Sequence, residues 1–111
     1  MPLTLPHFKA EFFKALAHPV RIQILDALRN GKKSVNELSE LLHIEQANVS
    51  QQLAILRLRN IVTGAKAGSS VFYSVSDPAL FQLLDAAKEI FNNQLVGVQH
   101  MLREMKGGRR K

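Results

Sequence analysis

Cysteine is absent from these 111 residues, which removes disulfides, thiolate metal sites and thiol redox sensing together. No apolar run approaches the ~18 residues needed to cross a bilayer, so no membrane partner is expected. The opening stretch, Met1 to His7, lacks the charged start and apolar block of a secretory leader, which points to a cytoplasmic protein. Also missing are a Gly-rich phosphate loop, a nucleophile with a plausible base and paired carboxylates at useful spacing. These absences argue against an enzyme, and the scattered Asp and Glu are accounted for by caps and solvated faces. There are no internal repeats, and the only low-complexity stretch is Gly107 to Lys111.

What is present fits one domain. A hydrophobic content of 46% in a chain this short suffices for a single folded unit, expected over residues 1–106. The net charge of +6 and pI near 10.1 admit a nucleic-acid partner. Arg109, Arg110 and Lys111 supply three of those charges. Residues 107–111 read as a basic disordered tail, either a phosphate-binding arm or a solvated end. The remaining body is mildly basic, so charge alone does not identify a DNA binder.

The pattern along the chain is mainly α with a small β-hairpin. A first helix is expected from Pro6 to Ala17, carrying Phe8, Phe12, Phe13 and Leu16. His18-Pro19 breaks it and starts a second helix with Ile22, Leu25 and Leu28 on one edge, Arg21 and Arg29 off it, and a stop at Asn30-Gly31. Lys32 and Lys33 fall in a loop. Ser34 and Glu37 form a capping box for a third helix, with Val35, Leu38, Leu41 and Leu42 facing inward. After the short link His43-Ile44-Glu45 comes a fourth helix, Gln46 to Asn60, in the helix-turn-helix arrangement. Glu45 stands near its cap, where Ser or Asp is preferred.

That fourth helix has two distinct edges. At ~100° per residue Val49, Leu53 and Leu56 fall together, while Ala47, Ser50, Gln51 and Ala54 cluster on the far side. The far side carries short amides, hydroxyls and methyls instead of Glu and Lys, a composition suited to close approach to base edges in a major groove. Ile61–Thr63 and Val71–Val75 are β-type runs flanking a Gly-rich turn, and read as a hairpin. Directly after a recognition helix such a hairpin is a wing, with Lys66, Ser69 and Ser70 able to meet phosphates; the alternative is a plain surface turn. Lys33, Ser34 and Arg57 are further phosphate candidates.

Asp77-Pro78 reads as a cap and first helical position, and the helical pattern lasts to Lys106, roughly 43 Å at 1.5 Å per residue. Leu80, Leu84, Ala87, Phe91, Gln94, Val98, Met101 and Met105 follow an unbroken 4-3 spacing, the mark of a helix-packing seam. Together with the Phe-rich first helix, this predicts dimerisation through the terminal helices, with Phe8, Phe12, Leu84, Ala87, Phe91, Val98 and Met101 at the interface. The alternative is a monomer whose last helix folds across its own core.

The ordered set Leu16-Ala-His-Pro-Val-Arg-Ile-Gln-Ile-Leu25, Glu37-Leu38, Asn48-Val-Ser-Gln-Gln-Leu-Ala-Ile-Leu-Arg57 and Tyr73 resembles the ArsR/SmtB family of bacterial winged-helix repressors over about residues 8 to 100. The resemblance implies a winged helix-turn-helix of about five helices and a two-stranded wing. It also implies a homodimer on a pseudo-palindromic double-stranded operator, released when an effector binds. By position, Gln46, Ala47, Ser50 and Gln51 would be the base-reading residues, and Asn48 is a further candidate for base contact. The family's cysteine metal site early in the third helix is missing, since Asn36, Glu37, Leu38 and Ser39 stand there. Of the last-helix ligands Asp77 is retained, but Ala79, Ile90 and Asn93 occupy the later positions, too few donors for a transition metal. His18 belongs to the family's Ala-His-Pro junction and reads as a structural turn residue. His7 and His100, helped by Glu104, leave an inter-subunit Ni or Zn site as an alternative effector reading. A different class of alternative is a winged-helix module that binds another protein through the long helix.

Overall fold

The computed structural model describes residues 4–109, with side chains described to residue 106. Thr4 caps the first helix, its hydroxyl accepting from the His7 N–H. This helix, α1, spans Leu5–Leu16, one residue ahead of the expected start and finish. His18 then caps α2 (Pro19–Ala27): its Nδ1 accepts from the Val20 N–H at 3.1 Å, and Pro19 supplies a first residue that needs no hydrogen-bond acceptor. The junction histidine is therefore a structural turn residue. A single 3₁₀ turn, Leu28–Asn30, runs into Gly31.

The buried edge of α2 differs from the expected one. Ile24, Leu25 and Leu28 are buried and Ile22 is exposed. Once the edge is centred there, Arg21, three and four residues before Ile24 and Leu25, lies on it instead of off it.

Lys33–Ser34 forms β1, where a loop was expected, and pairs antiparallel with Tyr73 and Phe72 of the later hairpin. Ser34 also caps α3 (Val35–Leu42) through a complete capping box: its hydroxyl accepts from the Glu37 N–H at 3.1 Å, and its own N–H donates to Glu37 Oε1 at 2.9 Å. Ser34→Ala is expected to lower stability by about 1 kcal/mol, read as a shift of the urea midpoint at constant slope. Leu38 is fully buried, Val35 and Leu42 are half-buried, and Leu41 is exposed instead of facing inward. The buried edge leans toward the Val35–Leu42 side of Leu38, and Leu41 falls on the other.

His43 ends α3 in the left-handed region (φ 57°). Ser39 holds the turn: its carbonyl accepts from the Ile44 N–H, and its hydroxyl donates to the Ile44 carbonyl. The next helix, α4, spans Gln46–Leu58. Its buried residues Val49, Leu53 and Leu56 complete a core with Ile24, Leu25, Leu38 and Val62, and α2 and α3 both pack on it.

The hairpin strands are longer than the β-type runs, β2 covering Val62–Ala67 and β3 Ser70–Val75. The sheet has three antiparallel strands in the order β1-β3-β2, one more than the two-stranded wing expected. Gly68 supplies the positive φ (64°) needed at the first position of a two-residue II′ loop. Gly64 lies opposite Tyr73, where an added Cβ would stand 3.1 Å from Tyr73 Cε1.

The chain divides into two compact units at Pro78. The second unit is α5, Ala79–Arg109, which begins after the expected Asp77-Pro78 start and runs three residues beyond Lys106. Of the basic tail, Arg110 and Lys111 lie outside the described residues. Along α5, Leu84 and Ala87 are half-buried, and Phe91, Leu95, Val98, Met101, Leu102 and Met105 are exposed. No helix among the described residues is long and apolar enough to cross a membrane.

Candidate nucleic-acid interface

The helix α4 divides as the periodicity requires. Ala47, Ser50, Gln51 and Ala54 are all exposed, on the side away from the buried Val49, Leu53 and Leu56, and Arg57 is exposed at the border of that edge. Ser50, Ala54, Arg57 and Leu58 share a groove with Tyr73 of β3, so the wing stands directly beside this edge. Lys66, Ser69 and Ser70 are exposed at the far end of the wing.

Three of the candidate residues carry hydrogen bonds that define what they can offer. Gln46 is exposed at the first position of α4, and its Nε2 donates to Asn36 Oδ1 of α3 at 2.6 Å. Asn48 is half-buried and its Oδ1 accepts from Gln52 Nε2 at 3.0 Å, so its amide is drawn inward while those of its neighbours stay out. Ser34 has one lone pair committed to the capping box, with the hydroxyl proton left to donate. Lys33 is half-buried in β1, whereas its neighbour Lys32 lies 5.7 Å from the Phe72 ring centroid, within cation–π range. Glu45 makes no side-chain capping bond at the start of α4.

Gln52 escaped the sequence reading. It is only 7% exposed, and its Oε1 accepts from Arg21 Nε at 2.9 Å while Arg21 Nη1 donates to the Ala15 carbonyl at 2.9 Å. A polar chain thus runs from the end of α1 through α2 to the inner side of α4. The available signal was the Asn48/Gln52 pair, four apart, the spacing at which helix side chains bond. A second tie, Arg59 to Glu11 at 3.7 Å, also joins α4 to α1.

Within one chain, metal donors among the described residues do not converge. His100 Nε2 and Glu104 Oε1 are 3.2 Å apart on successive turns of α5. Among the described residues no group of three or more His, Asp or Glu could hold an ion. Two donors do not make a transition-metal site.

A helix-turn-helix with an uncharged exposed recognition edge, a hairpin beside it and cations at both flanks defines a winged helix-turn-helix of the DNA-binding class. The family model for bacterial regulatory proteins of the arsR family matches residues 18–63. The uncharacterized HTH-type transcriptional regulator Rv0081 of Mycobacterium tuberculosis is 39% identical over 101 residues, covering 90% of this chain and 89% of that protein. Its crystal structure superposes with a TM-score of 0.76 at 38% identity, covering 86% of this chain and 96% of that one. The structure of the transcriptional repressor BigR from Xylella fastidiosa gives a TM-score of 0.68 at 36% identity, covering 74% and 84%. The chain belongs to the ArsR family of bacterial regulators.

Proposed function

We propose that this chain is a cytoplasmic, sequence-specific transcriptional repressor that occupies a pseudo-palindromic operator as a homodimer. The observation that carries the reading is the edge Ala47, Ser50, Gln51, Ala54, which is exposed and free of long charged side chains, with Arg57 and Lys66 beside it. Gln51 reads adenine or bridges to guanine, Ser50 takes either donor or acceptor, and the two alanines allow the backbone close to the groove floor. Gln46 contributes from the helix start, steadied by Asn36. Arg57, Ser34, Lys66, Ser69 and Ser70 position the protein on phosphates without reading sequence. Dimerisation covers the apolar edges that α1 and α5 leave exposed, among them Phe8, Phe12, Phe91, Val98 and Met101.

The test is binding of the purified protein to DNA from its own upstream region against random DNA at physiological salt. Gln51→Ala is expected to lower operator affinity about 5- to 150-fold, the worth of one good bidentate base contact, with little change on random DNA. Lys66→Ala should weaken both about equally and reduce the salt slope by about one. No preference for the upstream DNA would overturn the reading. With no metal as the effector, operator affinity should be the same in Ni(II), in Zn(II) and in chelator. A metal-dependent change that His100→Ala abolishes would overturn that expectation.

A further inference from the structure

Behind α4, on the side turned from the wing, Glu11, Lys14, Ala15, Arg21, Ile55 and Arg59 line a pocket open to solvent. It gathers three cations around one carboxylate. Glu11 is already shared, 3.5 Å from Lys14 Nζ and 3.7 Å from Arg59 Nη2. Arg21 is half-buried and spends its bonds on two neutral acceptors, Gln52 Oε1 and the Ala15 carbonyl. Among the described residues no carboxylate neutralises it. A guanidinium has five N–H donors, so Arg21, itself half-buried, keeps donors in hand toward the pocket. Positive charge in excess of its counter-charge, in a partly desolvated concavity, favours an anion, and planar N–H pairs favour a carboxylate. Ala15 and Ile55 give the same pocket an apolar wall.

Arg59 lies ~180° round α4 from Ser50 and ~80° from Gln51 at 100° per residue, so the pocket stands off the recognition edge toward the back of the helix. On α1, Lys14 is ~160° round from Phe12, while Glu11 lies ~60° and Ala15 ~20° round from Phe8, so the pocket borders the aromatic edge.

We propose that this pocket binds a small organic carboxylate, its anionic end held by Arg21 and Arg59 and its apolar body against Ile55 and Ala15. The proposal does not depend on the DNA reading. The side-chain Nε–Hε resonances of arginine in the full-length protein report on it directly, in titrations with benzoate and with its neutral twin benzamide at constant ionic strength. Benzoate should move the Arg21 and Arg59 resonances saturably, and benzamide should not. Arg59→Gln should weaken benzoate about tenfold, as the loss of one charge-assisted hydrogen bond requires, while Arg57→Gln on the opposite edge should leave it unchanged. No saturable shift with benzoate, an equal response to benzamide, or unaltered affinity in Arg59→Gln would each overturn the proposal. Sulfate binding as tightly as benzoate would overturn the carboxylate assignment.

Discussion

Val98→Asp is expected to convert the protein from a dimer to a monomer and to lower operator affinity by about 10²- to 10⁴-fold, the loss that follows when two linked half-site contacts become independent. Val98 is 53% exposed on the same stripe of α5 as Phe91, Leu95, Met101, Leu102 and Met105. A carboxylate there costs the isolated chain little, because the site is already wet. In a dimer it would place two unpaired charges in an apolar seam, several kcal/mol against association by the ordinary penalty for burying an ion. Val96 supplies the control. It is 60% exposed but lies ~200° round the helix from Val98 at 100° per residue, off the stripe. Val96→Asp should leave the mass and the operator affinity unchanged. Light scattering distinguishes twice the chain mass from the 12.4 kDa monomer. A dimeric Val98→Asp would remove α5 from the interface, and a monomer that keeps full operator affinity would show that operator binding does not need the dimer.

The parts of the fold that could be read in advance are those in which local pattern and tertiary environment agree. Val49, Leu53 and Leu56 recur at helical spacing and are all fully buried, and the Ser34/Glu37 box caps α3 because both halves of it lie within four residues of each other. The unread parts were decided by distant partners. Lys33-Ser34 has no β-type run, yet becomes a strand because Tyr73 and Phe72 of β3 offer it a ladder. Gly64 to Ala67 lacks strand propensity but is held in register by β3 across a two-residue loop. On α2 the apolar residues permit two edges, and only packing decides that Ile24 goes in and Ile22 stays out.

The recognition edge follows the same division. Ala47, Ser50, Gln51 and Ala54 could be grouped by spacing alone, and they are exposed together. That Asn48 turns inward could not, because the amide it meets belongs to Gln52, a polar residue with no sequence mark of burial. Polar residues enter a core only where a partner satisfies them. For Gln52 the decisive partner, Arg21, is on another helix.

Gln52→Leu and Arg21→Met are each expected to destabilise the fold by about 2–3 kcal/mol, whereas the double variant should cost at least about 1 kcal/mol less than their sum. The reason is the asymmetry of hydrogen bonding in partly buried sites. Leucine at 52 leaves the Arg21 Nε–H without its acceptor and Asn48 Oδ1 without its donor. Methionine at 21 strips donors from Gln52 Oε1 and from the Ala15 carbonyl. Each single change therefore carries the desolvation cost of a stranded group, and replacing both partners by apolar side chains removes most of it. Urea unfolding of the four proteins measures the coupling, and a coupling near zero would mean that the Arg21–Gln52 bond contributes nothing. The same cycle read on operator DNA has a second use. The bond joins the inner side of α4 to α2 and, through the Ala15 carbonyl, to the end of α1. A folded double variant that binds random DNA normally but its operator weakly would show that this chain sets the presentation of Ser50 and Gln51, since neither altered residue lies on the exposed edge.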